Sequence, residues 1–267
     1  MRWVTFDQGN SSLKWCVWEA TSQDRAVVRH HGRCAAGALQ AGLVELGERI
    51  AGSTIESALY CGVTGSEMTA QVRAGWETIS GGAPWCEPRE TLAVECEDPE
   101  RVGRDRRLAA QGAYALVSAS VIVVDAGTAL TVDAVGEGPT FLGGAIAPGP
   151  EVLADALGRA GAQLFAIAPR PGASALGRST SQALEAGISV GFAGAAARLV
   201  EEVAQEANLI GAPAVVTGGA RGYLDREGLF GERTVHVFAD LVHLGLLAAA
   251  GVVAELQEES WPCSSGN

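Results

Sequence analysis

The chain has 267 residues, 48% hydrophobic and 19% charged, enough apolar mass for two packed cores and too little charge for long disordered tails. Its formal net charge of -12 repels phosphate backbones, which excludes nucleic acid as a default partner but leaves small anionic metabolites open to a local arginine cluster.

The start, MRWVTFDQGNSS, turns polar at Asp7, short of the apolar core of a signal peptide. Residues 3–6 form a short apolar run and residues 12–18 an alternating one, with the turn cluster DQGNS between them, so the pair reads as a β-hairpin with a glycine in its loop. Residues 55–63 read as a further strand, flanked by helical stretches near 37–50 and 66–74. Residues 78–98 are irregular. They lead into PERVGRDRRLAAQGAYAL, where Leu108, Ala109, Gly112 and Leu116 fall at helical spacing.

The pattern then restarts. Residues 121–125 (VIVVD) form a β-branched run ending in an aspartate, followed by AGT and a second alternating strand, ALTVDAV. FLGGAIAPG reads as the next strand and its turn, 150–164 and 181–206 as helices, APAVVTGGA as a buried strand closed by a glycine pair, and 240–256 as a last apolar helix. The tail WPCSSGN reads as frayed. TFDQGNSSLKW and VVDAGTALTVD share one plan, and a repeat at this scale predicts two related α/β halves, 1–117 and 118–267. The apolar stretch 244–254 is too short to span a bilayer, so no membrane is expected. Six cysteines, at 16, 34, 61, 86, 96 and 263, contain no CxxC pair, and the four histidines show no metal-ligand spacing. The thiols read as reduced and the address as cytoplasmic.

Three constellations carry chemistry. Asp7, Gln8, Gly9, Asn10, Ser11, Ser12, Leu13 and Lys14 have the residue types of a phosphate-binding hairpin. Glycine admits an anion close to the backbone, the turn amides can form a nest, Lys14 adds a positive charge, and Asp7 is a candidate magnesium holder. Taken alone, the same turn reads first as an Asx-capped hairpin. Asp125-Ala126-Gly127-Thr128 repeats the design, and the two copies together point to an ATP triphosphate gripped from both sides. No GxxxxGK[ST] and no strand-borne GxGxxG is present, and Val215–Ala220 offers a glycine turn against which an adenine could lie. In Gly103-Arg104-Asp105-Arg106, a lone carboxylate sits among Arg101, Arg104, Arg106 and Arg107, which predicts a favoured ionised form suited to a base, beside arginines suited to a carboxylate. A solvated helix start is the other reading of that segment.

These motifs, in this order and spacing, resemble the type III pantothenate kinase family: DQGNSSLK, DPERVGRDR, VVDAGTALTVD, FLGGAIAPG, LGRST and VVTGGA. The resemblance implies the duplicated two-domain actin/hexokinase/Hsp70-like (ribonuclease H-like) ATPase fold. It also implies transfer of the ATP γ-phosphoryl group to pantothenate, the opening step of coenzyme A synthesis. On the matching positions, Asp7 to Lys14 and Thr128 contact ATP, with Mg²⁺ accompanying the nucleotide. Gly103 to Arg106 bind pantothenate with Asp105 as proton acceptor, Asp125 holds a monovalent cation (K⁺ or NH₄⁺), and Thr180 contacts pantothenate near a homodimer interface. The sequence departs from the family in three places: Cys96 stands at a usual tyrosine position, GRNT is GRST through Ser179, and TGGDA is TGGAR. The competing readings are a non-catalytic regulator like the Bvg accessory factor and a kinase of another small acceptor.

Overall fold

A computed structural model describes residues 1–9, 11–62, 65–160, 167–239 and 241–255. The chain divides into two compact units. Among the described residues the first comprises 1–93, 97–118 and 241–255, and the second 94–96 and 119–239.

The first unit opens with β1 (Arg2–Gln8), β2 (Ser12–Ala20) and β3 (Arg25–Ala35), then α1 (Leu39–Ile50), β4 (Ile55–Gly62), α2 (Ser66–Ile79) and β5 (Trp85–Cys86). The short strand β6 (Ala93–Val94) runs at the edge of the second unit's sheet, and the chain returns to the first unit in α3 (Arg104–Val117). The second unit continues with β7 (Val121–Ala126), β8 (Ala129–Gly136), β9 (Thr140–Pro148), α4 (Pro150–Ala160), α5 (Thr180–Glu206), β10 (Ala214–Thr217) and β11 (Val235–Val237). Then α6 (Leu241–Ala249) and β12 (Val253–Ala254) complete the first unit.

The internal echo is a duplication of topology. The sheets run β12-β3-β2-β1-β4-β5 and β11-β10-β7-β8-β9-β6. In each, the leading hairpin is antiparallel (β1–β2, β7–β8), its second strand pairs antiparallel with a third (β2–β3, β8–β9), and the first strand pairs parallel with a later one (β1–β4, β7–β10). β1 and β7 are thus the central strands, and β1 is buried along nearly its whole length, as a strand covered on both faces must be.

In the first unit, Val4, Phe6, Leu13, Trp15 and Val17 pack against Leu43, Leu46 and Ile50 of α1 and Val72 and Trp76 of α2. Each such side chain contributes about 1.5–3 kcal/mol by leaving water. The opposite face of β1 meets α6, where Thr5 Oγ1 receives the Trp18 indole N–H at 2.8 Å and lies 2.8 Å from His243 Nδ1. In the second unit, Ile122, Val124, Leu130 and Val132 pack on Phe192, Ala193, Ala196, Val200 and Ala204 of α5. By length and composition α5 could cross a membrane, yet these residues form a face buried against its own sheet.

The expected halves differ from these units at the C-terminus. The sequence reading assigned 118–267 to one half, whereas residues 241–255 group with the first unit. The reason is close helix packing. A Cβ on Gly245 would lie 1.9 Å from the Leu108 carbonyl oxygen, and one on Gly112 would lie 2.4 Å from that of Leu241, so the α3 and α6 backbones meet directly. The helix expected at 150–164 is described to Ala160, and Leu164, like the tail with Cys263, lies outside the described residues.

Candidate functional site

The first hairpin sets Asp7 at the end of β1, in register with Lys14 on β2. Lys14 Nζ donates to Asp7 Oδ2 at 2.9 Å, so the lysine expected to add charge at a phosphate also neutralises this carboxylate. The turn is tied by the Gly9 amide donating to the Ser12 carbonyl at 3.1 Å, and Ser12 is buried beneath it. Ser11 is exposed, and Asn10 lies outside the described residues. Two expected contacts have side chains turned inward. Leu13 belongs to the core, and Gln8 is fully buried with Oε1 receiving the Tyr60 hydroxyl at 2.7 Å. These two residues can offer a ligand only their main chains.

Asp105 stands in the first turn of α3, partly buried, with Oδ1 receiving the Arg106 amide at 2.9 Å. Gly103 makes the room: a Cβ there would lie 2.6 Å from Asp105 Oδ1. The expectation that flanking arginines favour the ionised form of this carboxyl is corrected. Burial pushes its pKa above the ordinary carboxylate value, the negative charge of Asp7 adds to the rise, and the Arg106 amide and guanidinium only partly oppose it. Three of the four arginines are committed elsewhere. Arg101 pairs with Asp98 at 3.7 Å, largely in solvent. Arg104, expected to contact the acceptor, donates from Nε to Glu90 Oε1 at 3.1 Å, from Nη1 to the Tyr60 carbonyl at 3.2 Å and from Nη2 to the Pro88 carbonyl at 2.6 Å. Arg107 Nη1 lies 3.8 Å from Glu90 Oε2. Cys61, in register with Asp7 on β4, has its thiol pushed far up by burial and then by the charge of Asp7, which keeps it protonated.

Sequence reasoning missed Tyr60, Glu90 and Gln111. Gln111 Oε1 receives the Thr91 amide at 2.6 Å and its Nε2 donates to the Gly245 carbonyl at 3.1 Å, so one buried amide fastens α3 to the segment before β6 and to α6. A glutamine at a buried helix position was the only signal available.

In the second unit Asp125 is the last residue but one of β7, in register with Thr217 on β10. Gly218 follows with φ +94, and a Cβ there would lie 2.2 Å from the Ala126 carbonyl oxygen and 2.4 Å from Asp125 Oδ1. The Ala220 amide donates to that carbonyl at 2.7 Å, so the glycine turn expected for adenine is folded onto the Asp125 loop. Thr128 is exposed at the hairpin tip. Thr180 is exposed as the first residue of α5, whose start is capped by Ser179 Oγ receiving the Gln182 amide at 3.2 Å. Cys96 groups with this unit, its Sγ 3.9 Å from where a Gly143 Cβ would sit.

Residues 3–202 match the family model described as type III pantothenate kinase. The chain is 34% identical over 209 residues to a type III pantothenate kinase of Akkermansia muciniphila, covering 78% of this chain and 83% of that one. It is 42% identical over 115 residues to that of Streptomyces coelicolor, covering 43% of each. Two solved structures share the fold. One is a protein described as a Baf family transcriptional activator from Campylobacter jejuni, at TM-score 0.57 and 17% identity over 92% of this chain and 96% of that one. The other is a protein described as a 2-dehydro-3-deoxygalactonokinase from Sinorhizobium meliloti, at TM-score 0.51 and 16% identity over 97% and 99%. At such identities the likeness speaks for the fold alone.

Proposed function

The chain belongs to the type III pantothenate kinase family, and on that premise we propose how its own residues carry the transfer of the ATP γ-phosphoryl group to pantothenate. The observation that carries the reading is Asp105: a partly buried carboxylate at a helix start, raised in basicity by burial, beside Arg106, while Arg104 and Arg107 pair with Glu90.

The acceptor's primary hydroxyl donates a hydrogen bond to the Asp105 carboxylate. As its oxygen bonds to the γ-phosphorus, the proton passes to Asp105 and the bond to the β,γ-bridging oxygen breaks, releasing ADP. A positioned base of this kind contributes about 10²–10⁴-fold. Arg106 anchors the acceptor's carboxylate, and Gly103 keeps the approach to Asp105 open. The turn amides of residues 8–12, with Ser11, Ser12 and Lys14, take the phosphates. Thr128 adds an ATP contact, and Cys96 and Thr180 are assigned to the acceptor by likeness to the family. Cysteine at 96 is smaller than the usual tyrosine, which loosens that contact.

As a kinase the protein works with ATP and a divalent metal. Mg²⁺ suits the first hairpin, whose single carboxylate, Asp7, would add to ligands supplied by the phosphates. Beneath Gly218, Asp125 Oδ1 and the Ala126 carbonyl oxygen converge within 2.4 Å of one point, two oxygen donors of the kind K⁺ or NH₄⁺ would take. A cation held there offsets the charge of the nucleotide.

A homodimer accords with exposed apolar side chains on successive elements of the second unit: Ile146 on β9 and Val152 and Leu157 on α4. Thr180 is assigned near that interface. A cytoplasmic address accords with thiols at Cys16, Cys34, Cys61, Cys86 and Cys96 that form no disulfide among the described residues. A coupled assay over a panel of acceptors, with potassium, sodium or lithium as the monovalent ion, tests the function. Turnover of pantothenate with potassium is expected. Failure to turn over ATP with any acceptor would favour the regulatory reading.

A further inference from the structure

A chain of hydrogen bonds that starts on α2 reaches the end of β1. Gln8, the last residue of that strand, is fully buried, and its Oε1 receives the Tyr60 hydroxyl at 2.7 Å. Thr69 Oγ1 on α2 lies 2.9 Å from the same hydroxyl. A phenol has one proton and an amide oxygen can only accept, so that proton goes to Gln8 and the threonine donates to Tyr60. The chain therefore runs from Thr69 through Tyr60 to Gln8, each bond polarising the next. Burial raises the pKa of the phenol above its ordinary value, which keeps its proton in place. The ring packs on Trp85, with centroids 4.7 Å apart. Gly62, in register with Gln8 across β1 and β4, gives the hydroxyl its room: a Cβ there would lie 2.1 Å from Tyr60 Oη.

We propose that Tyr60 is a positioning residue for ATP: its hydroxyl, acting through the Gln8 side chain, fixes the end of β1 from which the phosphate-binding turn departs. This role rests on the reading of residues 8–12 as that turn. Main-chain amides grip an anion well only when their directions are set beforehand, because a loose turn must be ordered at the ligand's expense. The β2 side of the hairpin has its own anchors, Leu13 in the core and Lys14 paired with Asp7. On the β1 side the residue after Gln8 is Gly9, whose amide closes the turn on the Ser12 carbonyl and which has no side chain to restrain its backbone. Gln8 is thus the last side chain on β1 that can anchor the turn, and Tyr60 holds its oxygen. The Tyr60 carbonyl separately receives Arg104 Nη1 at 3.2 Å, a bond that loss of the hydroxyl leaves in place.

The test is Tyr60→Phe, which removes the hydroxyl and keeps the ring, with Thr78→Val, an exposed hydroxyl on the same helix as Thr69, as control. Steady-state kinetics with ATP and pantothenate are read together with calorimetric ATP binding. Y60F is expected to raise the ATP KM and Kd by about 5- to 30-fold, with kcat and the pantothenate KM within about threefold of wild type, because amides that hold the phosphates serve ground and transition states alike. T78V should match wild type. Gln8→Met removes the acceptor, so adding Y60F to Q8M should change the ATP KM by no more than about twofold. A wild-type ATP KM in Y60F would overturn the proposal. An equal rise in both KM values would overturn it too, since that marks general loosening, as would a double variant whose loss is the product of the two single losses. Should Y60F not fold, Thr69→Val, which removes only the donor to Tyr60, must raise the ATP KM by about two- to tenfold, and a wild-type value there overturns the role. Lys14→Met is run alongside. If K14M leaves ATP binding unchanged, the phosphate reading of the hairpin falls; if K14M weakens ATP binding while Y60F does not, only the role of Tyr60 falls.

Discussion

Gly103→Ala perturbs one contact and little else. Gly103 has φ -52 and ψ 135, a conformation alanine adopts without strain. The added methyl would lie 2.6 Å from Asp105 Oδ1, and ordinary contact begins at 3.4 Å. The carboxylate must therefore withdraw by about 0.8 Å, close to the 1 Å displacement that can cost about 10²-fold in rate. The atom that yields is the end of a side chain, so folding loses little, and the restricted unfolded chain returns about 0.4–1 kcal/mol. The expected variant melts at or slightly above the wild-type temperature and turns over about 10- to 100-fold more slowly, with the ATP KM unchanged. Calorimetry and steady-state kinetics on one preparation decide it. A kcat within about twofold of wild type would refute the reasoning, since it would mean that Asp105 need not occupy this position.

Three further outcomes follow from the same geometry. Burial raises the Asp105 pKa, so kcat/KM should fall on acidification with a limb above the ordinary carboxylate range; the stability that the bound proton confers is full below the unfolded pKa and lost as pH rises through the folded one, so Asp105→Asn should melt above wild type at neutral pH and converge with it in acid. Gly218→Ala sets a Cβ 2.2 Å from a backbone oxygen at φ +94, which should cost about 1–3 kcal/mol in thermal unfolding and raise the ATP KM. Arg106→Ala should raise the pantothenate KM more than it lowers kcat, read from initial rates, because an acceptor-carboxylate anchor serves ground and transition states alike.

The sequence made the duplication legible because each copy is local. Asp7 and Lys14 are seven residues apart, and Asp125 through Thr131 lie on one hairpin, so alternation and turn chemistry suffice to read them. The helix start at Gly103 and the strand ending in Gly218 are local in the same sense. What stayed hidden is long-range. Glu90 is 14 residues from Arg104, and Tyr60 is 52 from Gln8 and 44 from Arg104. No periodicity connects them. The four arginines near Asp105 suggested a carboxylate held ionised, and only the fold reveals that Glu90 takes two of them and that burial then dominates. The last helix was legible as a helix but not in its length, since it ends at Ala249 and Val253–Ala254 form β12, nor in its allegiance. An element buried nearly all round carries no polar face to orient it, and its partner was set by Gly112 and Gly245, whose meaning appears only when two backbones touch.

The most direct test of the account is turnover by Asp105→Asn, measured together with ATP binding. Asparagine keeps the shape and can still accept the Arg106 amide, but it cannot take the acceptor's proton. The account predicts a fall in kcat of about 10²–10⁴-fold with ATP affinity near wild type, because the phosphates are held by other residues. A variant that retains more than about a tenth of wild-type turnover, well above what loss of a general base allows, would contradict it and return the Gly103–Arg106 segment to a solvated helix start.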